Sequence, residues 1–313
     1  MGQYTEISQQ RIEEMRVMIG HRKVRDHMFA LLGLVCMMIA VLTMLGSFAS
    51  LLFDGWARLT PEFFTNFPSR RAENAGILSA WVGTTLVMVV TVFAAVPLGV
   101  GAAVYLEEYA KKNWLTDIIE INVTNLAGVP SIIYGLLALG LFVYILGLGE
   151  SVVAAGLTLA LLILPIVIVS TREALRAVPS AIREGAYALG ATRWQMVSDH
   201  LLPYSRGGIL TGVIIGMSRA IGETAPIITI GALTFIAFLP PAPIKAEAPF
   251  VSFDWLWAPF TVLPIQMFNW VSRPDKAFAE NAAAAGVVLI VMTLLMNGIA
   301  IYLRYQIRKK IKW

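Results

Sequence analysis

The sequence has few charged residues and almost no cysteine or histidine. Charged residues make up 14% of its 313 residues, against about 25% in soluble globular domains. A disordered chain is excluded too, because 58% of the residues are hydrophobic. The single cysteine, Cys36, excludes a disulfide scaffold and a zinc or iron–sulfur site built on cysteines, and three histidines are too few for a His-rich metal site. The composition therefore predicts an integral membrane protein without a metal site.

The sequence also lacks the motifs of nucleotide-binding and hydrolytic enzymes. No lysine is preceded by glycine, so there is no Walker A loop to hold phosphates. The His-Glu-x-x-His and Gly-x-Ser-x-Gly signatures are absent as well. We therefore expect no catalytic site and no cofactor in this chain, and any ATP and Mg²⁺ must be bound by another subunit. The net charge of +4 is assigned to membrane-flanking segments, not to a nucleic-acid surface.

Six apolar stretches are long enough to cross about 30 Å of hydrocarbon, which takes roughly 20 helical residues. In chain order they are 28–53, 74–106, 121–149, 151–171, 207–244 and 281–303. Only the fifth contains charges, Arg219 and Glu223. A seventh candidate, 255–272, is rejected because it is short and carries Pro259 and Pro264, and its tryptophans suit the membrane interface. The sequence therefore predicts an all-α membrane protein with six transmembrane helices.

Positive charges are distributed unevenly among the segments that connect these stretches. Of the 24 lysines and arginines, 17 lie before the first stretch or after the second, fourth and sixth, and six lie in the alternate segments. The positive-inside rule then places both termini in the cytoplasm. We predict a multi-pass plasma (inner) membrane protein with a cytoplasmic segment (1–27), a retained anchor (28–53), an extracytoplasmic loop (240–280) and a cytoplasmic tail (304–313). Its basic segments are expected to contact lipid head groups.

The longest predicted cytoplasmic loop, 172–206, has the pattern of two short helices. Pro179 suits the first turn of one helix, and Gly190 suits its end. Thr192 can cap a second helix that ends at Leu202, before Pro203. The loop is therefore expected to be ordered.

The first of these helices has an apolar and mostly small face with i, i+3, i+4, i+7 spacing. It consists of Ile182, Gly185, Ala186 and Leu189, and it is flanked by Arg183 and Glu184. Such a face can lie in a groove of another protein or pack on its own chain. Periodicity alone does not separate these two possibilities.

The spacing within the loop resembles a known motif. Glu184-Gly185-Ala186, followed by Gly190 and by Leu202-Pro203, resembles the EAA loop of bacterial ABC import permeases. The loop departs from that pattern at Gly185, where the motif has alanine, and at His200, where it has isoleucine. The resemblance implies that residues 182–186, Leu189 and Gly190 dock on a cytoplasmic ATPase subunit and pass its motion to the membrane helices.

Two charges within the fifth stretch need an explanation, because a charge at mid-bilayer costs about 2.5–3.5 kcal/mol. Arg219 and Glu223 are four residues apart and would share one face of a helix. Three glycines with small-xxx-small spacing precede them on that side and predict close helix packing: Gly208, Gly212 and Gly216. Pro226 follows, and its missing N–H is expected to free the carbonyl of Gly222.

Two readings of this pair remain open from the residues. In the first, Arg219 and Glu223 form an ion pair within the helix bundle. In the second, Arg219 offers bidentate donors to an oxyanion, and Glu223 positions or gates it. The second is preferred, because charges within a membrane are usually functional.

The stretch from Arg219 to Pro226, Arg-Ala-Ile-Gly-Glu-Thr-Ala-Pro, resembles the signature of the PstA family of phosphate-importer permease subunits. Supporting matches lie at 74–77, 97–101, 105–109 and 128–135. The resemblance covers roughly residues 74 to 304, and residues 1–73 match only in general layout. It implies a MetI-like permease core (74–303) of five transmembrane helices, preceded by an additional N-terminal helix.

The resemblance also implies partners and a substrate. It implies a heterodimer with a PstC-like sister permease on two PstB-like ATP-binding subunits, fed by an extracytoplasmic PstS-like phosphate-binding protein. Arg219 and Glu223 correspond to the charged pair of that family. The loop between 240 and 273 either contributes to the docking surface for the binding protein or forms an interfacial cap.

Three alternatives are weighed against an ATP-driven phosphate importer. A permease for another oxyanion, such as molybdate, tungstate or sulfate, is the nearest. A secondary transporter or channel is disfavoured, because the sequence has no inverted repeat of hydrophobic segments and such proteins need no cytoplasmic two-helix loop. A purely structural scaffold is disfavoured by the buried charge of Arg219.

Overall fold

The computed structural model describes residues 2–245 and 250–309, and these residues are predominantly helical. In this described part the only β-pairing is one isolated antiparallel bridge between Ile244 and Val251. The chain forms two compact units that divide after Phe53. The first unit belongs to helix α1 (Gly2–Gly55), so the predicted cytoplasmic segment and the predicted anchor are parts of one continuous helix.

The second unit contains eleven helices within the described residues. They are α2 (Pro61–Thr65), α3 (Leu78–Val104), α4 (Trp114–Leu126), α5 (Ser131–Ala138), α6 (Val152–Arg176), α7 (Ser180–Ala188), α8 (Arg193–Gln195), α9 (Leu202–Ile221), α10 (Ala225–Thr229), α11 (Leu263–Val271) and α12 (Ala277–Lys309). Wider π-helical turns follow three of them: Tyr105–Tyr109 after α3, Leu139–Ile145 after α5 and Met196–Leu201 after α8.

Four helical segments of the described chain are long and apolar enough to cross a membrane: Arg22–Arg58, Leu78–Tyr109, Val152–Arg176 and Ala277–Gln306. The bent pair Trp114–Leu126 and Ser131–Ile145 is a fifth if it counts as one crossing. The 20-residue helix α9 carries Arg206 and Arg219 and does not meet the same criterion. The all-α membrane architecture is thus as predicted, and the number of six crossings stays a prediction.

The third predicted stretch, 121–149, is not one straight helix. Its first residues belong to α4, and the chain turns by 109° before α5 begins. Pro130 is the N-cap of α5, and a proline disfavours the α conformation in the residue before it. Helix α4 therefore ends at Leu126.

The fifth predicted stretch, 207–244, is helical only in its first half. Helix α9 ends at Ile221, α10 provides one more short helix, and the described residues 230–245 and 250–262 contain no further α-helix. This irregular segment lies against α3, where the Ser79 hydroxyl donates to the carbonyl of Ile236 at 3.1 Å. The Thr84 hydroxyl accepts from the backbone N–H of Leu263 at 2.9 Å. Protein contacts therefore satisfy backbone groups that lipid could not.

Helices α3 and α6 pack closely in the core of the second unit. Gly99 of α3 leaves room for Val167 of α6, and Gly156 of α6 leaves room for Val90 of α3. Buried threonine hydroxyls donate to carbonyls four residues earlier, as Thr91 does to Val87 at 2.9 Å. Small residues at helix contacts and internally satisfied polar groups are what a membrane bundle requires.

Helix α11 has nine residues, about 13 Å of helix, which is too short to cross a bilayer. The rejection of 255–272 as a crossing fits this length. The tryptophans of segment 255–272 were expected at the membrane interface. Trp255 and Trp270 are instead buried in the protein, and Trp257 is exposed. The ring of Trp270 packs beside that of Phe63.

Candidate translocation and coupling sites

Arg219 and Glu223 form an ion pair at the end of α9. The Nε atom of Arg219 lies 3.4 Å from Oε1 of Glu223, and their side chains are 35% and 18% exposed. Glu223 is not part of the helix, since α9 ends at Ile221 and Gly222 is its C-cap. The prediction that one helix carries both charges is therefore wrong for Glu223. The pair lies where the helix stops, half-buried and still accessible from one side.

The break after α9 follows from the residues that come next. Thr224 is the N-cap of α10, and Pro226 lies in the first turn of that helix, where a missing N–H costs nothing. Pro226 therefore starts a new helix. The sequence had suggested, instead, that Pro226 lies inside the helix that carries Arg219. Its Cα would lie 2.7 Å from a Cβ added to Gly135, so α10 and α5 approach closely at this point.

The three glycines of α9 face α6. A Cβ added to Gly208 would lie 2.5 Å from the Cβ of Ala174, and one added to Gly216 would lie 3.3 Å from the Cβ of Ile163. At Gly212 an added Cβ would collide with the side chain of Ser170. The glycines thus hold α9 against α6 along about two turns, directly before the turn that carries Arg219.

A second contact fixes the same turn of α9 on another side. The Ser218 hydroxyl donates to Oδ1 of Asn297 in α12 at 2.9 Å.

The hydroxyl of buried Tyr134 donates to the carbonyl of Leu126 at 2.8 Å and thereby fixes the bend between α4 and α5. Two interrupted helices, α4–α5 and α9–α10, therefore meet close to the charged pair. Interrupted helices are a common setting for substrate sites in transporters.

The predicted coupling loop is ordered and begins as expected. Pro179 is the N-cap of α7, and Gly190 ends it with φ of +84°, a conformation that favours glycine. Thr192 forms a capping box with Gln195, whose side chain accepts from the Thr192 backbone N–H at 2.9 Å.

The predicted end of the second helix before Pro203 is wrong. From Arg193 the chain passes through α8, the π-helical turn and α9 and remains helical to Ile221. The wide π-helical turn ends at Leu201, directly before α9, and Pro203 lies in the first turn of α9. A proline is tolerated where it removes no regular helical hydrogen bond. One helical rod therefore connects the coupling loop to Arg219.

The apolar face predicted on α7 is divided between two directions. Ala186 is buried in a cluster with Leu175, Met196 and Leu201, and Ile182 packs against the same cluster. Gly185 and Leu189 are exposed, as is Glu184. Leu189 is 90% exposed. The four positions thus do not form one free surface, because half of the face packs on its own chain.

Arg183 also points towards its own chain. Its guanidinium donates to Oε1 of Glu108 at 3.0 Å and to the carbonyls of Leu175 and Val178, each at 2.9 Å. These bonds tie α7 to the end of α6 and to the π-helical turn after α3. A direct contact of Arg183 with another protein does not fit this geometry.

A network of charges beside this contact was not recognised in the sequence. Nε of Arg176 lies 2.9 Å from Oε1 of Glu107, and a terminal nitrogen of Arg172 lies 2.7 Å from Oε2 of Glu120. The Arg172 side chain is only 7% exposed. In the sequence, both arginines contributed only to the predicted topology. Their partners lie more than 50 positions away, so no local pattern could have identified them.

The predicted extracytoplasmic loop carries exposed aromatic side chains around the Ile244–Val251 bridge. Phe250, Phe253 and Trp257 are all exposed. The Ser252 hydroxyl donates to Asp254 at 2.7 Å and the Lys245 ammonium does so at 3.3 Å. These two contacts lower the pKa of the Asp254 carboxyl. The loop is an ordered hairpin base with an apolar surface.

Comparison with known proteins gives a consistent family. The model of the family described as binding-protein-dependent transport system inner membrane component matches residues 95–313. The probable ABC transporter permease protein YqgI of Bacillus subtilis (strain 168) is 29% identical over 296 residues, which cover 93% of this chain and 99% of that protein. The phosphate transport system permease protein PstA of Yersinia pestis is 31% identical over 295 residues, 92% of each chain.

A solved structure has the same fold. A chain of the inward-facing MetNI methionine ABC transporter superposes with a TM-score of 0.57 at 17% identity. The match covers 74% of this chain and 95% of that chain. At this identity the likeness concerns the fold alone.

Proposed function

Because the chain belongs to the family of binding-protein-dependent transport system inner membrane components, we propose that it forms half of the pathway of an ATP-driven importer of inorganic phosphate. Relatives named PstA, at about 30% identity over most of the chain, support phosphate as the substrate. The chain itself is a permease subunit, and ATP and Mg²⁺ are bound and hydrolysed on a separate ATPase.

The half-buried pair of Arg219 and Glu223 is the observation on which the proposal depends. A guanidinium presents several donors in one plane and suits the oxygens of a phosphate. Its pairing with Glu223 at 3.4 Å is longer than a strong charge-assisted hydrogen bond, about 2.7–2.9 Å. Arg219 can therefore exchange this partner for an anion. The negative charge of Glu223 then shortens the time for which the anion remains bound.

The continuous helix from Arg193 to Ile221 supports a mechanical link to the ATPase. The exposed residues Glu184, Gly185 and Leu189 form the contact surface, as in the EAA loop. Motion of α7 reaches α9 through the short turn at Gly190 and Thr192, and it reaches α6 and α3 through Arg183 and Glu108. Both routes end at helices that pack around the charged pair.

The partners follow from the same assignment. A PstC-like sister permease completes the pathway, and two PstB-like ATPases bind on the cytoplasmic side, where both termini lie. A PstS-like binding protein delivers phosphate to the opposite side. The exposed aromatic hairpin around Phe250, Phe253 and Trp257 supports a docking surface there.

Uptake of labelled phosphate by proteoliposomes that contain the complete assembly tests the proposal. Arg219→Gln should lower uptake about 10- to 100-fold, because a hydrogen bond to a charged group contributes about 1.5–3 kcal/mol. Arg206→Gln is the matched control, since Arg206 is an exposed arginine at the other end of α9. Unchanged uptake with Arg219→Gln would remove the anion-binding role. If molybdate or sulfate competes more strongly than arsenate, the substrate is another oxyanion and not phosphate.

A further inference from the structure

We propose that Glu223 selects which oxyanion Arg219 binds, because its carboxylate accepts a hydrogen bond from an anion that still carries a proton. Phosphate and arsenate keep at least one proton at neutral pH, whereas sulfate and molybdate keep none. The inference rests on the proposed function, since it names the class of anion that the same charged pair accepts. It assigns part of the substrate selectivity to this chain.

The contact between Arg219 and Glu223 uses only part of each side chain. Nε of Arg219 lies 3.4 Å from Oε1 of Glu223. Within the described residues, the two terminal nitrogens of Arg219 and Oε2 of Glu223 have no hydrogen-bond partner. A guanidinium can only donate hydrogen bonds, and a carboxylate can only accept them. The pair therefore offers an incoming ligand free donors on one residue and a free acceptor on the other.

There is open space beside this pair. Gly222 is exposed, and no atom lies within 4 Å of a Cβ added to it. It comes three residues after Arg219, and residues with this spacing lie on nearly the same side of a helix. Glu223 follows directly, in the break between α9 and α10. An anion held by the terminal nitrogens of Arg219 therefore has room next to the carboxylate.

The proton of the anion decides how the carboxylate acts on it. The negative charge of Glu223 opposes the binding of every oxyanion. An O–H group of phosphate can donate to Oε2, and a bond between a hydroxyl and a carboxylate is short and strong. This bond offsets the repulsion, whereas sulfate has no proton to donate and meets the repulsion alone. A site that bonds a substrate hydroxyl rejects analogues that lack it, and for this accessible pair we expect a preference of about 10- to 100-fold.

Selection by size predicts a different order of anions. Sulfate is close to phosphate in size, and molybdate is close to arsenate. Selection by size would therefore group phosphate with sulfate, whereas selection by the proton groups phosphate with arsenate. A pair with a purely structural role would bind none of the four. The four anions together thus separate these possibilities.

The test measures anion binding next to the pair itself. It uses the assembly of the two permeases and the ATPases without the binding protein, so that selection by the binding protein does not contribute. In a Cys36→Ser background, a single cysteine is introduced as Thr224→Cys or as Gly222→Cys, and the rate of its alkylation by N-ethylmaleimide is measured at neutral pH and constant ionic strength. We expect phosphate and arsenate to slow alkylation at concentrations about 10- to 100-fold lower than sulfate and molybdate.

Glu223→Gln replaces the carboxylate with an amide, whose NH₂ group can donate to any oxyanion. The preference for phosphate over sulfate should then fall about tenfold or more. Glu280→Gln is the matched control at an exposed glutamate in the first turn of α12, and it should keep the preference. An unchanged preference in Glu223→Gln would overturn the proposal, as would an order in the unsubstituted pair that follows size.

Two failures remain distinct. Protection by phosphate and sulfate at equal concentrations would contradict only the selective role of Glu223. Absence of protection by all four anions at both cysteine positions would contradict the anion site of the proposed function and this inference with it.

Discussion

Gly212 is the position of α9 at which a side chain has the least room. A Cβ added there would collide with the Ser170 side chain, including its Cβ, which cannot rotate away. We expect Gly212→Ala to lower the stability of the assembly by about 1–3 kcal/mol, the usual cost of overpacking. The measurement is the melting temperature in detergent, with Gly207→Ala as the control. No atom lies within 4 Å of a Cβ at Gly207, so that variant should be at least as stable as the parent. Equal losses in both would contradict the packing role.

Single residues differed in how well the sequence predicted their surroundings. The spacing of Gly208, Gly212 and Gly216 predicted a close helix contact, and they do pack on α6. Nothing in the sequence predicted that Arg183 would pair with Glu108, because that partner lies 75 positions earlier. A local pattern carries information about residues within one or two helical turns. Ion pairs between distant segments depend on the tertiary fold.

At the scale of elements, apolar stretches were predicted well and helix ends were not. Hydropathy gives the length of an apolar stretch but not whether its helix bends. Proline does not decide the matter either, since α3 and α6 continue past Pro97 and Pro165, while Pro130 and Pro226 lie at the starts of new helices. The difference is tertiary, because close packing of α5 on α10 at Gly135 stabilises the interrupted geometry.

The link between α7 and the turn after α3 leads to a prediction for this pair of elements. Arg183→Glu places a negative charge beside Glu108, and we expect a loss of about 0.5–3 kcal/mol in stability and less phosphate transported per ATP hydrolysed. The double variant Arg183→Glu with Glu108→Arg restores an ion pair of opposite polarity. It should recover part of the transport, but not all, since the carbonyls of Leu175 and Val178 still lose the hydrogen bonds from the guanidinium at position 183. Parallel assays of ATP hydrolysis and phosphate uptake measure the ratio. A double variant no better than the single one would contradict a role for the pair in coupling.

At the scale of the whole molecule, the unbroken helix from Arg193 to Ile221 joins the two proposed sites. A stiff rod passes a displacement from one end to the other, whereas a flexible loop would absorb it. The ATPase therefore does not need to approach the charged pair. In the proposed mechanism it needs only to bind tightly to the exposed side of α7, next to the start of this helical rod.

Leu189 is the residue at which binding of the ATPase to α7 can be tested without disturbing the fold. Its side chain is 90% exposed, so Leu189→Asp should leave the melting temperature of the permease unchanged. If the ATPase covers this side chain, a buried and unpaired carboxylate would oppose binding. We expect the ATPase to be lost from the purified assembly, and Leu189→Met, which stays apolar, to retain it. Co-purification at a fixed salt concentration gives the ratio of the subunits. An undiminished ATPase content in Leu189→Asp would mean that the ATPase binds elsewhere, and the exposed half of α7 would then have no part in driving transport.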